Sequence, residues 1–424
     1  MSTSTFGGRA RGGARGRARW IGVAAALGLL VPGGAAVAYA GQAGHAGQAG
    51  DAAAPPAAVA APSEEFPRLT PAVAAKLDEA VREVQARAAI PGVIVSLSAP
   101  GKGEYVRAFG VADKATGAAM TPNLNMRIGS ETKTFTVTAL LQLVDQGKVG
   151  LDDPIGKYVS GVPNGDRITL RELAGMRSGL FNYSEDEDFF KALTSDPRRE
   201  FTPRELLAYS FKHPVNFAPN AKFQYCNTNL ILLGLVVEKI GGQPLAAYIN
   251  ERVSKPAGLR HTLFPVGAEF PTPHAHGYTN QTADGKTADA TDWNPSWGWA
   301  AGAMISDLPD LRSWAKTLAT GTLLTPATQA QRLKVSPAGN LPDTGYGLGI
   351  FNVDGWIGHN GSLPGYQSLT IYLPAEQATL VVLLNTDTAY EGAEPSTLFG
   401  EAITKIVTPE HVYRLPSQGA TPAH

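Results

Sequence analysis

The chain is nearly devoid of cysteine: Cys226 is the single thiol among 424 residues. That excludes an internal disulfide and Cys-based metal sites, so stability has to come from the core. Charge is sparse, at 17% of residues, and the formal net charge of −1 carries no basic excess of the kind nucleic-acid binders show. No H-E-x-x-H accompanies the His274-Ala275-His276 pair, so no metal site is expected. A G-x-S-x-G nucleophile elbow is also missing, and Gly345–Gly349 is not followed by a helix, which excludes a phosphate loop. Apolar residues, by contrast, make up 43% of the chain, enough for one large or two intermediate domains.

Residues 1–40 depart from that average. Arg9, Arg11, Arg15, Arg17 and Arg19 precede an uncharged run that Pro32-Gly33-Gly34 interrupts before Ala38-Tyr39-Ala40, the pattern of a cleavable secretory signal. An uncleaved anchor is the alternative, since Trp20 to Ala40 is free of charge, but the Pro-Gly-Gly break disfavours it. Removing this segment takes away five arginines and no acid, moving the formal charge from −1 to −6. Residues 41–65 are Ala-, Gly- and Pro-rich and read as a flexible linker. The expected product is a secreted, mildly acidic protein with no stable membrane anchor.

Thr70-Pro71 signals a helix reaching about Ala89, and Pro91-Gly92 turns into two strands that read as a hairpin. A further helix from Phe135 to Gly147 reads as amphipathic. Capping boxes at Thr169–Glu172 and Thr202–Glu205, and an apolar helix from Thr228 to Ile240, mark 155–290 as mainly helical. Short strands follow the helix expected at about 307–319. The pattern predicts an α/β fold: an antiparallel sheet built from both chain termini (66–154 and 291–408), flanked by helices, with the helical segment inserted. Residues 409–424 read as a frayed tail.

Chemistry concentrates in three short stretches. Ser130 and Lys133 lie three apart at a helix start, where a partly buried, neutral lysine amine can take the serine proton. The plain alternative is an N-cap serine and a solvated lysine. Tyr225 and Asn227 flank Cys226, and in an extended segment both face one side while Cys226 points away as buried filler. His359, between Gly358 and Gly361, is expected to open a strand whose N–H groups grip a substrate; a turn with a surface histidine is the alternative.

In this order, S-x-x-K, Y-x-N and H-x-G resemble the penicillin-recognising serine hydrolases: class C β-lactamases especially, secreted D-alanyl-D-alanine carboxypeptidases, and related esterases and D-amino-acid peptidases. Stretches such as "MRIGSETKTFT", "YCNTNLILLGLVVEKIGG" and "SWGWAAGAMISDLPDL" extend the likeness over about 75–405. The resemblance implies a β-lactamase/transpeptidase-like fold, Ser130 as nucleophile, Lys133 as proton acceptor, and Tyr225 as shared base and leaving-group acid. It also implies that Asn227 bonds Lys133 and the substrate amide, that Ser130 and Ser362 supply an oxyanion hole, and that Trp297 walls the cleft. His359, Asn360, Gly361 and Ser362 complete the substrate-binding set.

No metal or cofactor is implied. A cell-wall D-Ala-D-Ala peptide or other small acyl compound is the expected partner of a monomer, with β-lactams as acylating mimics. β-Lactamase, esterase and D-aminopeptidase activity remain alternatives, as does a non-catalytic wall-binding module. Departures bear on that choice: Asn360 replaces the usual Thr or Ser, neither S-D-N nor K-T-G occurs, and no Lys or Arg lies between Lys334 and His359, where Phe351 stands instead. The first and the last weaken recognition of a free carboxylate, and the missing S-D-N and K-T-G leave the class A lactamase signature matched only in its first element.

Overall fold

In the computed structural model, which describes residues 65–339 and 343–415, the first helix starts where its sequence signals place it. Helix α1 (Pro71–Arg87) has Pro71 in its first turn, and Thr70 Oγ1 accepts from Val73 N at 3.3 Å. The expected signal segment and nearly all of the linker lie outside the described residues. Strands β1 (Gly92–Ala99) and β2 (Gly103–Gly110) form the expected hairpin, in register from Gly92–Gly110 to Ala99–Gly103.

The remaining strands of the main sheet come from the other end of the chain. They are β3 (Ser336–Pro337), β4 (Thr344–Tyr346), β5 (Phe351–Val353), β6 (Trp356–Leu363), β7 (Tyr366–Leu373) and β8 (Ala378–Leu384). The spatial order is β2-β1-β8-β7-β6-β5-β4-β3, and every pairing is antiparallel. The β1–β8 seam, from Val93–Leu384 to Ser98–Thr379, joins the two ends of the chain in one sheet. Every residue of β7 and β8 is buried, because helices cover both faces.

Helices α2 (Thr132–Asp145), α3 (Asn227–Gly241), α4 (Leu308–Thr320) and α5 (Pro395–Val407) carry most of that cover. On one face α5 packs against β7 and β8 beside α1, so the first and last helices touch. On the other, α4 meets the same strands and stacks Trp314 on Phe135 of α2 at 4.0 Å. Between residues 155 and 290 helices dominate, including Leu170–Ala174 and Pro203–Phe211, each begun by a complete capping box. The α/β class and the sheet shared by both termini are as the sequence predicts.

Two expectations are corrected. Helix α2 is not amphipathic: Thr132 to Leu141 are buried without exception, because α2 runs between α3, α4 and the sheet. Its threonines meet the cost of burial by bonding within reach, Thr134 Oγ1 to Glu131 O (2.7 Å), Thr136 Oγ1 to Ala300 O (2.8 Å) and Thr138 Oγ1 to Thr134 O (2.6 Å). Nor is the start of the expected tail frayed. Tyr413 is fully buried beside Gly400, its backbone N–H donates to Thr404 Oγ1 (2.9 Å), and Trp356 Nε1 donates to His411 O (2.8 Å).

Phe135 ties α2 to α4 through a dry, stacked contact, so its removal leaves a cavity with little means of collapse. Phe135→Ala is expected to lower unfolding free energy by about 3–5 kcal/mol, read from urea titration at constant m-value.

Candidate active site

A tight turn, Gly129–Glu131, delivers Ser130 to the start of α2, and Lys133 follows in the first helical turn. Lys133 is completely buried while Ser130 keeps 7% of its surface exposed, so the hydroxyl reaches the cleft and the amine stays behind it. Lys133 Nζ lies 2.9 Å from Ser130 Oγ and donates to Ala301 O at 2.8 Å. No carboxylate pairs with it among the described residues. Burial therefore pushes the ammonium well below its ordinary range. Burial thus favours the neutral amine beside the serine.

Tyr225 arrives on the segment before α3 and is 1% exposed. Lys133 Nζ sits 4.9 Å from the centre of its ring. Burial, and then neighbouring Tyr346, hold the phenol well above its usual pKa, with Ser130 pulling it the other way. Its hydroxyl has no hydrogen-bond partner among the described residues, so it is a neutral donor aimed at the serine side. Cys226 behaves as expected. It is buried, its Sγ meets Leu180 O at 3.4 Å, and burial pushes the thiol up to about 12.

His359 does not open its strand but stands fourth in the eight residues of β6. The useful boundary is on the neighbouring strand: β5 pairs with Trp356, Ile357 and Gly358 only, so the edge of β6 is free from His359 onward. The two-residue Pro364-Gly365 loop makes Leu363–Tyr366 the closing pair with β7. Antiparallel alternation then gives Leu363, Gly361 and His359 to β7 and turns the N–H groups of Asn360 and Ser362 toward the free edge.

That edge lies against the Ser130 turn. A Cβ on Gly129, whose φ is +50°, would sit 2.6 Å from Ser362 N, and one on Gly361 would sit 1.9 Å from Ile128 O. Only glycine at both positions lets the serine turn and the strand approach this closely. His359 itself is buried, with Nδ1 2.5 Å from Asn360 O and Nε2 3.2 Å from Tyr346 Oη. Burial lowers its pKa to about 3, so the imidazole is neutral.

Asn227 is corrected. Its side chain donates to Ser184 Oγ (3.1 Å), and its backbone N–H to Asn182 Oδ1 (3.1 Å), whereas Lys133 bonds Ser130 and Ala301. The cause is the helix boundary: Cys226 takes the N-cap position, and Asn227 begins α3 with its side chain over the 182–184 turn. Trp297 is half-buried in the turn Pro295–Trp297, packs 6.0 Å from Phe189, and accepts from Tyr183 Oη (2.6 Å) at its carbonyl. It immediately precedes the short helix Trp299–Gly302 that presents Ala301 O to Lys133.

Sequence reasoning missed Ala301 O, Tyr346 and Glu394. Asn360 donates from Nδ2 to Glu394 Oε2 at 2.6 Å, and Phe351 lies 5.0 Å from His359. None of these contacts leaves a spacing signal: Ala301 and Glu394 reach their partners from 168 and 34 residues away, and Tyr346 and Phe351 reach His359 only through strand pairing. Among the described residues the cluster suited to a cation is His261, Asp307 and Asp310, not the His274–His276 pair. There Asp310 already accepts the backbone N–H groups of Arg260, His261 and Thr262, and Asp307 caps α4.

A neutral lysine in the fold has a thermodynamic signature. The unfolded chain protonates Lys133 below about 10.5, whereas the folded chain resists protonation until its lowered pKa. Between those values the unfolded state binds the extra proton, so stability rises with pH and the cost of Lys133 grows as pH falls. Lys133→Met is expected to melt no lower than the parent at pH 9, with a Tm advantage that widens toward pH 6.

Comparisons with known proteins bear on the family and the fold. The family model described as Beta-lactamase matches residues 77–398. The protein named penicillin-binding protein PbpX, of Bacillus subtilis (strain 168), is 26% identical over 285 residues, 67% of this chain and 68% of that one. Among solved structures, a D-stereospecific amidohydrolase from Streptomyces sp. is 29% identical with a TM-score of 0.71, covering 79% of this chain and 98% of the other. The D-amino acid amidase of Ochrobactrum anthropi SV3 is 27% identical, TM-score 0.68, covering 79% and 96%. An octameric penicillin-binding protein homologue from Pyrococcus abyssi is 26% identical, TM-score 0.66, covering 78% and 76%. With a buried serine–lysine pair at the start of α2 and a family match over most of its length, this chain belongs to the Beta-lactamase family of penicillin-binding-protein-like serine hydrolases.

Proposed function

We propose that the protein hydrolyses an amide bond in a small D-configured amino-acid compound through an ester on Ser130. The observation that carries this reading is the buried Lys133 amine 2.9 Å from Ser130 Oγ, with no carboxylate partner among the described residues. As Ser130 Oγ bonds to the substrate carbonyl carbon, its proton passes to Lys133 Nζ. The N–H groups of Ser130 and Ser362 receive the oxyanion. Collapse breaks the carbon–nitrogen bond, Tyr225 gives its phenolic proton to the leaving nitrogen, and Lys133 returns a proton to Tyr225. Water then attacks the ester carbonyl carbon and yields a proton to Lys133, which passes it to Ser130 Oγ as the ester carbon–oxygen bond breaks, releasing the acid and restoring the serine hydroxyl and the neutral amine. Base duty falls on Lys133, because a phenol held well above its usual pKa is an acid here and not a base.

The Streptomyces and Ochrobactrum neighbours support amides of D-amino acids as the substrate class. A D-Ala-D-Ala carboxypeptidase acting on cell-wall peptides is the second reading, favoured by the likeness to a penicillin-binding protein. Against it stand Asn360 in place of a hydroxyl residue and Phe351 beside His359. The arginine-rich N-terminal segment supports export, where either substrate would be met. A non-catalytic wall-binding module has no use for a desolvated lysine against a serine.

A panel of D-alanine p-nitroanilide, its L-enantiomer and a diacylated D-Ala-D-Ala peptide, run beside a fluorescent penicillin with a cold chase, tests the reading. The D-anilide is expected to turn over fastest, with kcat/KM falling on the acid side as Lys133 protonates. Ser130→Ala is expected to lose at least about 1,000-fold in kcat and all covalent label. Hydrolysis that survives in Ser130→Ala would remove the assignment, and preferential release of D-alanine from the peptide would favour the carboxypeptidase.

A further inference from the structure

Tyr225 gives up a proton in the chemistry above, so what its hydroxyl does in the resting cleft matters. That hydroxyl has no partner among the described residues, although a buried imidazole stands beside it. The Tyr225 and His359 rings are 6.1 Å apart, and the Tyr346 and His359 rings 5.9 Å. Two phenols thus flank one imidazole at nearly equal distance. Only Tyr346 is bonded to it, Oη to Nε2 at 3.2 Å.

The direction of that bond follows from the other ring nitrogen. Nδ1 lies 2.5 Å from the Asn360 carbonyl, which can only accept, so Nδ1 carries the proton. Burial keeps the ring neutral, which leaves Nε2 bare, and Tyr346 Oη donates to it. Strand pairing fixes Tyr346 for this role. It stands opposite Phe351 where β4 meets β5, with its ring edge-on to Phe351 at 4.6 Å and tilted against Phe223 at 5.5 Å. Phe351 also lies 5.0 Å from His359 and parallel to Tyr225 at 6.5 Å, and it adds no polar atom to the group. Lys133, on the ring of Tyr225, already has Ser130 and Ala301 as partners.

We infer that Tyr346 is a positioning residue for the general acid: by saturating His359 Nε2 it leaves the Tyr225 hydroxyl free for the leaving nitrogen. This rests on the hydrolase reading above and deepens it. With both ring nitrogens bonded to the protein, His359 itself offers a substrate neither a donor nor an acceptor. Without the Tyr346 hydroxyl, Nε2 becomes a buried acceptor with no partner, and the cost of that state draws in the free hydroxyl of Tyr225. The phenolic proton is then held by the imidazole when the carbon–nitrogen bond has to break.

The test compares two leaving groups in Tyr346→Phe, which keeps the ring and removes the hydroxyl. For D-alaninamide, whose nitrogen leaves only with a proton, kcat/KM is expected to fall at least about 30-fold. For D-alanine p-nitrophenyl ester, whose phenolate leaves unaided, it is expected to fall no more than about three-fold. Ester turnover also reports that the variant is folded. An equal loss on both substrates marks a merely structural role, and an unchanged amide rate shows that Tyr225 is not diverted; either overturns the inference. Should Tyr346→Phe fold poorly, the nitrogen chemical shifts of the His359 ring in the parent protein decide. A protonated Nδ1 and a bare Nε2 are expected between about pH 6 and pH 9, and a proton on Nε2 overturns the inference. Failure of the hydrolase reading shows separately, as amide and ester turnover that persists in Ser130→Ala.

Discussion

The hydrogen bond between Lys133 Nζ and Ser130 Oγ is a proton path only while the amine is neutral, and neutrality is set by what surrounds α2. A lysine at a helix N-terminus already meets the unfavourable end of the helix dipole. Here it is also completely buried, with a carbonyl but, among the described residues, no carboxylate to receive it. Placing an acid within hydrogen-bond reach would restore the ammonium and occupy the lone pair that Ser130 needs. The fold avoids this by seating α2 among α3, α4 and the sheet, and by satisfying its polar side chains internally. A helix buried on all sides is thus a chemical requirement as much as a packing outcome.

Beside that buried helix, β6 presents a free edge to the serine turn. Pairing with β5 stops at Gly358, leaving the following N–H groups free, while Gly129 and Gly361 let the serine turn press against that edge. Both devices are short-range, but they depend on a long-range seam. Strand β6 is held by β7, β7 by β8, and β8 by β1 from the other end of the chain. The α1–α5 contact closes the arrangement on the opposite face, and the anchored segment ending in Tyr413 fastens Trp356 at the start of β6.

What could be read in the sequence follows from which interactions are local. Thr70-Pro71, the two capping boxes and the S-x-x-K spacing are recorded within four residues of chain, and each appears in the structure where expected. The hairpin and the two-terminus sheet were legible because alternation and turn residues mark them. The partner of Asn227 was not, because a shift of one position in the helix start redirects the side chain from Lys133 to Ser184. Nor could spacing show that Tyr413 is buried or that Glu394 faces Asn360, contacts that exist only once α5 is docked.

Burial also sets the charge state around the serine. It pushes Lys133 down, His359 down to about 3 and Tyr225 up, each toward its neutral form. The acid Glu394 is held on the other face of the sheet, because Asn360, which donates to it, alternates with His359 along β6. Alternation along one strand thus keeps this acid and a desolvated amine apart, and an ionised acid brought to the His359 face would favour the ammonium that burial disfavours.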